Sequence, residues 1–377
     1  MERRTVSSVQ FFSFSDAPES LKSEWSHAVN EVIQSGRFIG GPFVEKFENN
    51  WSTYLGVNYT IGVGNGFDAL VLALRALDIK AGDFVAVPIH TFIATWLAVG
   101  AVGATPIGID CDEFGLMDLD ILESHKTKFK AVIPVHMHGQ MVDMQRLMNW
   151  AETKGVKVIE DCAQAHGASK LGKKAGTWGD INAFSFYPTK NLGALGDAGA
   201  IVTDNPELAA RVKSLSNYGS RPDSKYSYMY SGVNSRLDPI QAAILSINLK
   251  FLDEWNQTRI QIANRYFAAF KQLSLKILSS KKNSVYHHFV VLSENRDMTR
   301  TLLLEKGIYT EIHYPESAEE SYLGLTSSKD LKESKASQLA LKTLSLPISP
   351  WITSDAVDYV IGKVTSDKIL RSFFVGM

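Results

Sequence analysis

From residue 59 to residue 203, short apolar runs alternate with segments whose apolar residues recur at helical spacing. Phe84-Val85-Ala86-Val87, the run from Ile107 to Asp110, and Val156-Lys157-Val158-Ile159-Glu160-Asp161 have the length and pattern of strands. The predicted order is strand, helix, strand, helix, strand, helix, strand, then strands around Ala183 and at Ala200-Ile201-Val202. Such alternation predicts an α/β fold, a mostly parallel sheet with helices on both faces. From Asp238-Pro239-Ile240 a long helix is expected to run through Trp255 to Phe270 with one break, its apolar face serving core and dimer packing. Beyond it, Tyr286 to Val291 and then helix, strand and helix predict a small α+β unit. On this reading the 377 residues divide into a large domain over 1–250 and a smaller C-terminal one over 251–377.

Connections and bulk properties narrow the picture. The longest apolar run, Trp96 to Ala104, is broken by Gly100 and Gly103, which suits a buried helix and falls short of a membrane span. Met1-Glu2-Arg3-Arg4 leads into polar and aromatic residues and lacks the apolar segment of a leader, so the expected location is the cytoplasm. Ser279-Ser280-Lys281-Lys282-Asn283-Ser284 and Ser327-Ser328-Lys329-Asp330 predict loops. Residues 218–232 form a long connection rich in tyrosine, a pattern of active-site or interface loops.

A net charge of -1 leaves no footprint for nucleic acid or an acidic membrane surface. An anionic substrate would need local donors, for which Arg221, Lys225 and Arg236 are candidates beside their ordinary surface roles. The two cysteines, Cys111 and Cys162, argue against a disulfide scaffold and fit a reducing compartment, and neither is placed like a catalytic thiol. No metal spacing stands out: His136 and His138, read as alternating along a strand, would point to opposite faces, and His287 and His288 are adjacent.

Lys190, within Phe184-Ser185-Phe186-Tyr187-Pro188-Thr189-Lys190-Asn191-Leu192-Gly193, is the residue placed to begin covalent chemistry. A lysine on a loop beside an aldehyde cofactor reads as the Schiff-base lysine of a pyridoxal phosphate (PLP) enzyme. Such a cofactor needs a carboxylate at its ring nitrogen, donors for its phosphate and an aromatic face. Asp161 ends a strand at the carboxyl edge, where open α/β sheets place binding groups. Glu160 and Asp161 could equally cap a following helix, but Gln164, Ser185 and Lys190 downstream favour the cofactor. Ser185 offers a hydroxyl on a buried strand. Gly62-Val63-Gly64-Asn65-Gly66-Phe67-Asp68 is a glycine-rich turn opening a helix expected over residues 69–77, suited to anions though also to a bare turn, and it does not match the dinucleotide spacing. Phe92 is the candidate ring face.

These residues, in order, resemble the DegT/DnrJ/EryC1/StrS sugar aminotransferases of PLP fold type I, the aspartate aminotransferase-like fold. The likeness extends from Ser35-Gly36-Arg37-Phe38 through Glu160-Asp161-Cys162-Ala163-Gln164 and Gly232-Val233-Asn234-Ser235-Arg236 to His313-Tyr314-Pro315 and Leu344-Ser345-Leu346-Pro347. It implies that Lys190 is the Schiff-base lysine and proton carrier, Asp161 the ring-nitrogen partner and Gln164 the neighbour of the ring hydroxyl. It implies phosphate ligands at Ser185 and the amides of Gly66 and Phe67, and stacking by Phe92. Asn234 would reach the phosphate of a neighbouring subunit, implying a homodimer, and His313 and Tyr314 would line the sugar-nucleotide pocket. A lysine here, where the dehydratase branch has histidine, implies an aminotransferase. Two departures fall on the substrate side: His138 stands where a tyrosine is usual, and Glu316-Ser317-Ala318-Glu319-Glu320 where a further proline and histidine are common.

Ala94-Thr95-Trp96-Leu97-Ala98-Val99 most resembles the subgroup aminating carbon 3 of dTDP-3-keto-6-deoxyhexoses with L-glutamate as donor. The products of that subgroup enter surface polysaccharides or glycosylated metabolites. Amination at carbon 4 and a non-catalytic PLP-binding regulator are the alternatives.

Overall fold

The computed structural model describes residues 6–221, 223–273, 275–279, 283–326 and 333–374. The chain's start at 1–4, the loop predicted at 327–330 and the middle of that at 279–284 lie outside the described residues.

Helices α1 (Glu19–Ser35) and α2 (Pro42–Leu55) lead into the sheet strands β1 (Tyr59–Val63), β2 (Phe84–Pro88), β3 (Thr105–Ile109), β4 (Ala131–Val132) and β5 (Lys157–Asp161). A short hairpin of β6 (Ser169–Lys170) and β7 (Lys173–Lys174) stands apart, and β8 (Ile181–Ser185) and β9 (Gly199–Thr203) complete the sheet. Its order is β1-β9-β8-β5-β4-β2-β3, seven strands in which only β9 runs against its neighbours. The crossover helices include α3 (Gly66–Ala76), α4 (Ala94–Ala101), α5 (Leu119–Ser124), α6 (Met144–Lys154) and α7 (Pro206–Leu215). The α/β reading therefore holds, with one strand more than the apolar pattern predicts. That strand is β4, whose two-residue ladder is too short to set up a period.

Because strand side chains alternate and helices cover both faces, the sheet is apolar on each side. Ala86, Val132, Val158 and Val202 face a core shared with Phe47 and Trp51 of α2. Their neighbours Val85, Ala131, Ile159 and Ile201 face another core shared with Leu72 of α3 and Trp96 of α4.

Residues 218–232 contain the hairpin β10 (Ser220–Arg221) and β11 (Ser224–Tyr228), with Tyr218, Tyr226, Tyr228 and Met229 exposed. The long helix breaks as expected, into α8 (Pro239–Asn248) and α9 (Leu252–Phe270) across a 3-10 turn. The second half of α9 packs under the antiparallel pair β12 (Phe289–Leu292) and β13 (Thr343–Leu346), flanked by α10 (Arg296–Glu305) and α13 (Ser354–Ser366), whereas α11 (Ala318–Thr326) lies against α4 and α12 (Lys335–Ala340) adds Ala336 and Leu339 to the core of α3 and α4. Tyr266, Phe270, Phe289, Leu344 and Val360 form the core of this lobe. The N-terminal segment belongs to it too: Val9 donates its N–H to Gly307 O at 2.8 Å and its side chain joins that core. No helix among the described residues is long and apolar enough to cross a membrane.

The parallel strands β1, β2, β5 and β8 all end at one edge, so the chain leaving Val63, Pro88, Asp161 and Ser185 converges there. Trp51 locks α2 onto the sheet beneath that edge, fully buried with its ring 5.1 Å from Phe184 and 5.6 Å from Phe186. Replacing Trp51 with alanine is expected to cost about 3–5 kcal/mol of unfolding free energy in a urea titration, the usual range for a deleted core aromatic. A loss under about 1 kcal/mol would show that the site collapses freely, contrary to this packing.

Candidate active site

A cavity of about 530 Å³ opens at the carboxyl edge, and Gly66, Phe67, Asp161, Gln164, Ser185 and Lys190 are among its walls. Phe92, His313 and Tyr314 line it from the other side. A larger groove of about 740 Å³ between α1, α2 and α8 gathers no comparable set of chemical groups.

Lys190 sits in a tight turn after β8, its N–H donating to Tyr187 O at 2.8 Å. The turn requires Gly193, where any Cβ would lie 2.2 Å from Pro188 O. Lys190 is half-buried, enclosed by protein and open to the cavity. Loss of hydration lowers its amine to about 8, and the charge of Asp161 opposes that fall.

Asp161 ends β5 and is buried. Desolvation raises its carboxyl, while the Ala163 N–H at 3.2 Å, the Thr95 hydroxyl at 3.0 Å and Lys190 favour the charged form. Its neighbour Glu160 is structural, accepting the N–H groups of Gly176, Trp178 and Gly179 and facing His136 Nε2 at 2.9 Å. Ligand atoms of His136, Glu160 and Cys162 lie within 4.8 Å of one another, a grouping these hydrogen bonds account for.

The helix expected from residue 69 begins earlier, at Gly66, because the Asn65 side chain caps it by accepting the Asp68 N–H at 2.8 Å. The Gly66 and Phe67 amides, first in the helix, find no partner among the described residues and are free for an anion. Glycine is required at 66, since a Cβ would come within 2.5 Å of Ser185 Cβ. Helix start and hydroxyl are thereby pressed together. Ser235 secures the loop from below, donating to Asp68 Oδ2 at 2.6 Å and accepting the Gly64 N–H at 2.9 Å.

Gln164 is held at both ends: its Oε1 accepts the His138 N–H at 2.7 Å and its Nε2 donates to the Tyr314 hydroxyl at 3.0 Å. The Phe92 and Tyr314 rings lie 5.3 Å apart, and His313 Nδ1 pairs with Ser345 Oγ at 2.9 Å. Three predicted residues lie elsewhere. Arg221 is exposed on the hairpin, Asn234 is exposed beside its bridge to Asn217, and Arg236 donates to Asn217 Oδ1 at 3.1 Å; none lines this chain's own cavity.

His136 and His138 do not alternate along a strand. They lie at a 3-10 turn over Met137–Gly139, in which His138 takes a left-handed φ of 58°. Sequence reasoning also passed over Thr95 and the pair His287 and His288, all cavity walls. Thr95 lies in the first turn of α4, and its hydroxyl meets that of Thr91 at 3.1 Å.

A cavity amine with a lowered pKa, a buried carboxylate opposite, free helix-start amides against a hydroxyl and an open aromatic face fit the donor set that pyridoxal phosphate requires. Fold and site define a PLP-dependent aminotransferase. Residues 19–365 match the DegT/DnrJ/EryC1/StrS aminotransferase family, and the chain belongs to it. It is 42% identical over 349 residues to the dTDP-3-amino-3,4,6-trideoxy-alpha-D-glucose transaminase of Streptomyces venezuelae, covering 91% of each chain. It is 44% identical over 351 residues to the dTDP-3-amino-3,6-dideoxy-alpha-D-galactopyranose transaminase of Aneurinibacillus thermoaerophilus, covering 91% of this chain and 95% of that one. The crystal structure of S. venezuelae DesV in complex with a ketimine intermediate superposes with a TM-score of 0.91 at 40% identity, covering 96% of this chain and 98% of that one.

Two measurements check this geometry. In cofactor-free protein, the Lys190 amine should react with an amine-directed reagent with a pH midpoint near 8, scored against a Lys190→Ala control. A midpoint at the ordinary 10.5 would remove the burial assigned to it. Gly66→Ala should weaken cofactor binding by about tenfold or more in an absorbance titration, equivalent to ~1.4 kcal/mol, by forcing the helix start off Ser185.

Proposed function

We propose that the chain transfers the amino group of L-glutamate to the C3 keto group of a dTDP-linked 3-keto-6-deoxyhexose. It acts in the cytoplasm as a homodimer whose two active sites are shared. The observation carrying the reading is the Lys190 amine and the Asp161 carboxylate facing one cavity, beside the free amides of α3. The names of the relatives, transaminases of 3-amino dTDP sugars, support the substrate class and the carbon.

Pyridoxal phosphate, when bound, supplies the electron sink that stabilises negative charge at the substrate carbon. Lys190 would hold it between turnovers and, once freed by substrate, would carry a proton on its Nζ at the reacting carbons. A neutral amine is needed for both tasks, and burial keeps it accessible near neutral pH. Asp161, oriented by Thr95 and the Ala163 N–H, would keep the ring nitrogen protonated. Ser185 and the Gly66 and Phe67 amides would hold the phosphate, Phe92 would cover the ring, and Gln164 would stand beside the ring hydroxyl. His313 and Tyr314 face the sugar. Arg221, Asn234 and Arg236, absent from this chain's own cavity, serve the partner's: Asn234 for the phosphate, the arginines for the nucleotide.

Incubation with glutamate and either the dTDP-3-keto or the dTDP-4-keto sugar, with identification of the amino product, tests the reading. Amination at C3 is expected, and Lys190→Ala should abolish it while the dimer stays folded. Product from the 4-keto sugar alone, or an active Lys190→Ala enzyme, would overturn it.

A further inference from the structure

Five histidines gather at one wall of the cavity, His287, His288 and His313 lining it and His90 and His138 buried behind them. His138 Nδ1 faces His288 Nδ1 at 3.1 Å, the His288 ring stacks on His313 at 3.7 Å, and the His90 ring lies 5.5 Å from that of His138, with His287 adjoining. Burial holds the imidazoles of His90, His138 and His288 below their usual range, and the positive potential of neighbouring groups adds to this for His138 and His288, so these rings are neutral near pH 7. Two neutral imidazoles meeting through their Nδ1 atoms share one proton there, which leaves two arrangements.

The surroundings decide between them. His90 Nδ1 lies 2.9 Å from Gly115 O, which can only accept, so His90 carries its proton on Nδ1 and leaves Nε2 as a bare acceptor. His138 Nε2 is buried and finds no hydrogen-bond partner among the described residues, His90 Nε2 included. A proton on His138 Nε2 would be a sealed donor with no acceptor, which is worse tolerated than an acceptor left unused. His138 therefore carries its proton on Nδ1 and donates it to His288. The Nδ1 of His288 is then an acceptor, and its proton must sit on Nε2. His288 is a cavity wall, and stacking on His313 fixes its plane.

We infer that His138 is a positioning residue that locks His288 in the Nε2–H tautomer, making His288 a neutral hydrogen-bond donor to an oxygen of the keto sugar. For its substrate this rests on the transaminase reading above; for its tautomer it rests on the hydrogen-bond geometry and the burial of the rings. A neutral donor on that wall suits a hydroxyl or keto oxygen. The sugar is the ligand assigned to it, and the glutamate half-reaction below distinguishes this from a contact to the amino donor.

The test uses holoenzyme labelled with 15N-histidine, in which long-range proton–nitrogen correlations distinguish the two tautomers. The His288 signal is identified by its loss in His288→Gln. Wild-type His288 should be Nε2–H. In His138→Phe that tautomer should be lost or mixed, and kcat/KM for the keto sugar should fall about three- to tenfold, the scale of one neutral hydrogen bond, mainly through KM. The half-reaction with glutamate should be unchanged. His138→Asn should restore both tautomer and KM, because its amide can donate to His288 Nδ1 and asparagine tolerates the left-handed backbone at this position. An Nδ1–H tautomer in wild-type His288, or a tautomer and KM unmoved in His138→Phe, would overturn the inference. If His138→Phe does not fold, the wild-type tautomer and the Asn variant still decide. If no keto sugar is aminated, the functional reading fails, and the tautomer measurement still settles the role of His138.

Discussion

The opposition of Lys190 and Asp161 across one cavity is the constraint on which the rest of the molecule turns. Burial pushes the amine toward its neutral form and the carboxyl toward its own, and the charge of each restrains the other. Neither could be held this way on the surface, where water would restore both ordinary values. The fold meets the requirement by ending β5 and β8 side by side, so that Asp161 closes one strand and the turn bearing Lys190 follows the other. Thr95, from the helix after β2, fixes the acid's second oxygen. Three separate crossovers thus contribute to one electrostatic balance.

Much of this was legible in the chain. Strands buried on both faces are short apolar runs, and parallel strands end together, so Asp161, Ser185 and the start of α3 could be assigned to one edge from order alone. What escaped was set by structure with no period of its own. The ladder of β4 spans two residues, and the turn holding His138 is a 3-10 segment that an alternating pattern mimics. Helix α3 begins at Gly66, three residues before its apolar stripe, because a side-chain cap decides where a helix starts. His287 and His288 could be judged only for metal spacing, since their meaning depends on rings brought from residues 90, 138 and 313. Arg221, Asn234 and Arg236 do not line this chain's cavity, and no pattern along the chain marks that placement.

The substrate side is built by different rules from the cofactor side. Around Lys190 the groups are charged or free to bind, whereas the opposite wall is made of neutral rings that hydrogen-bond and stack on one another. The N-terminal segment joins that wall: Phe11 lies 5.7 Å from His313 and 6.1 Å from His288, after Val9 has paired beside Ile308. Residues far apart in the chain therefore shape one surface.

Gln164 has a mechanical meaning as well. Its planar amide takes a backbone N–H from the large lobe on one side and gives a proton to the phenol of Tyr314 from the small lobe on the other. An amide cannot turn over without putting donor against donor, so its handedness is fixed. It ties the turn at His138 to the segment carrying Tyr314, so a displacement of either must stretch a bond to this side chain. It shares this task with the His138–His288 pair beside the reacting centre, so the two sides of the cleft are held in step where the chemistry takes place.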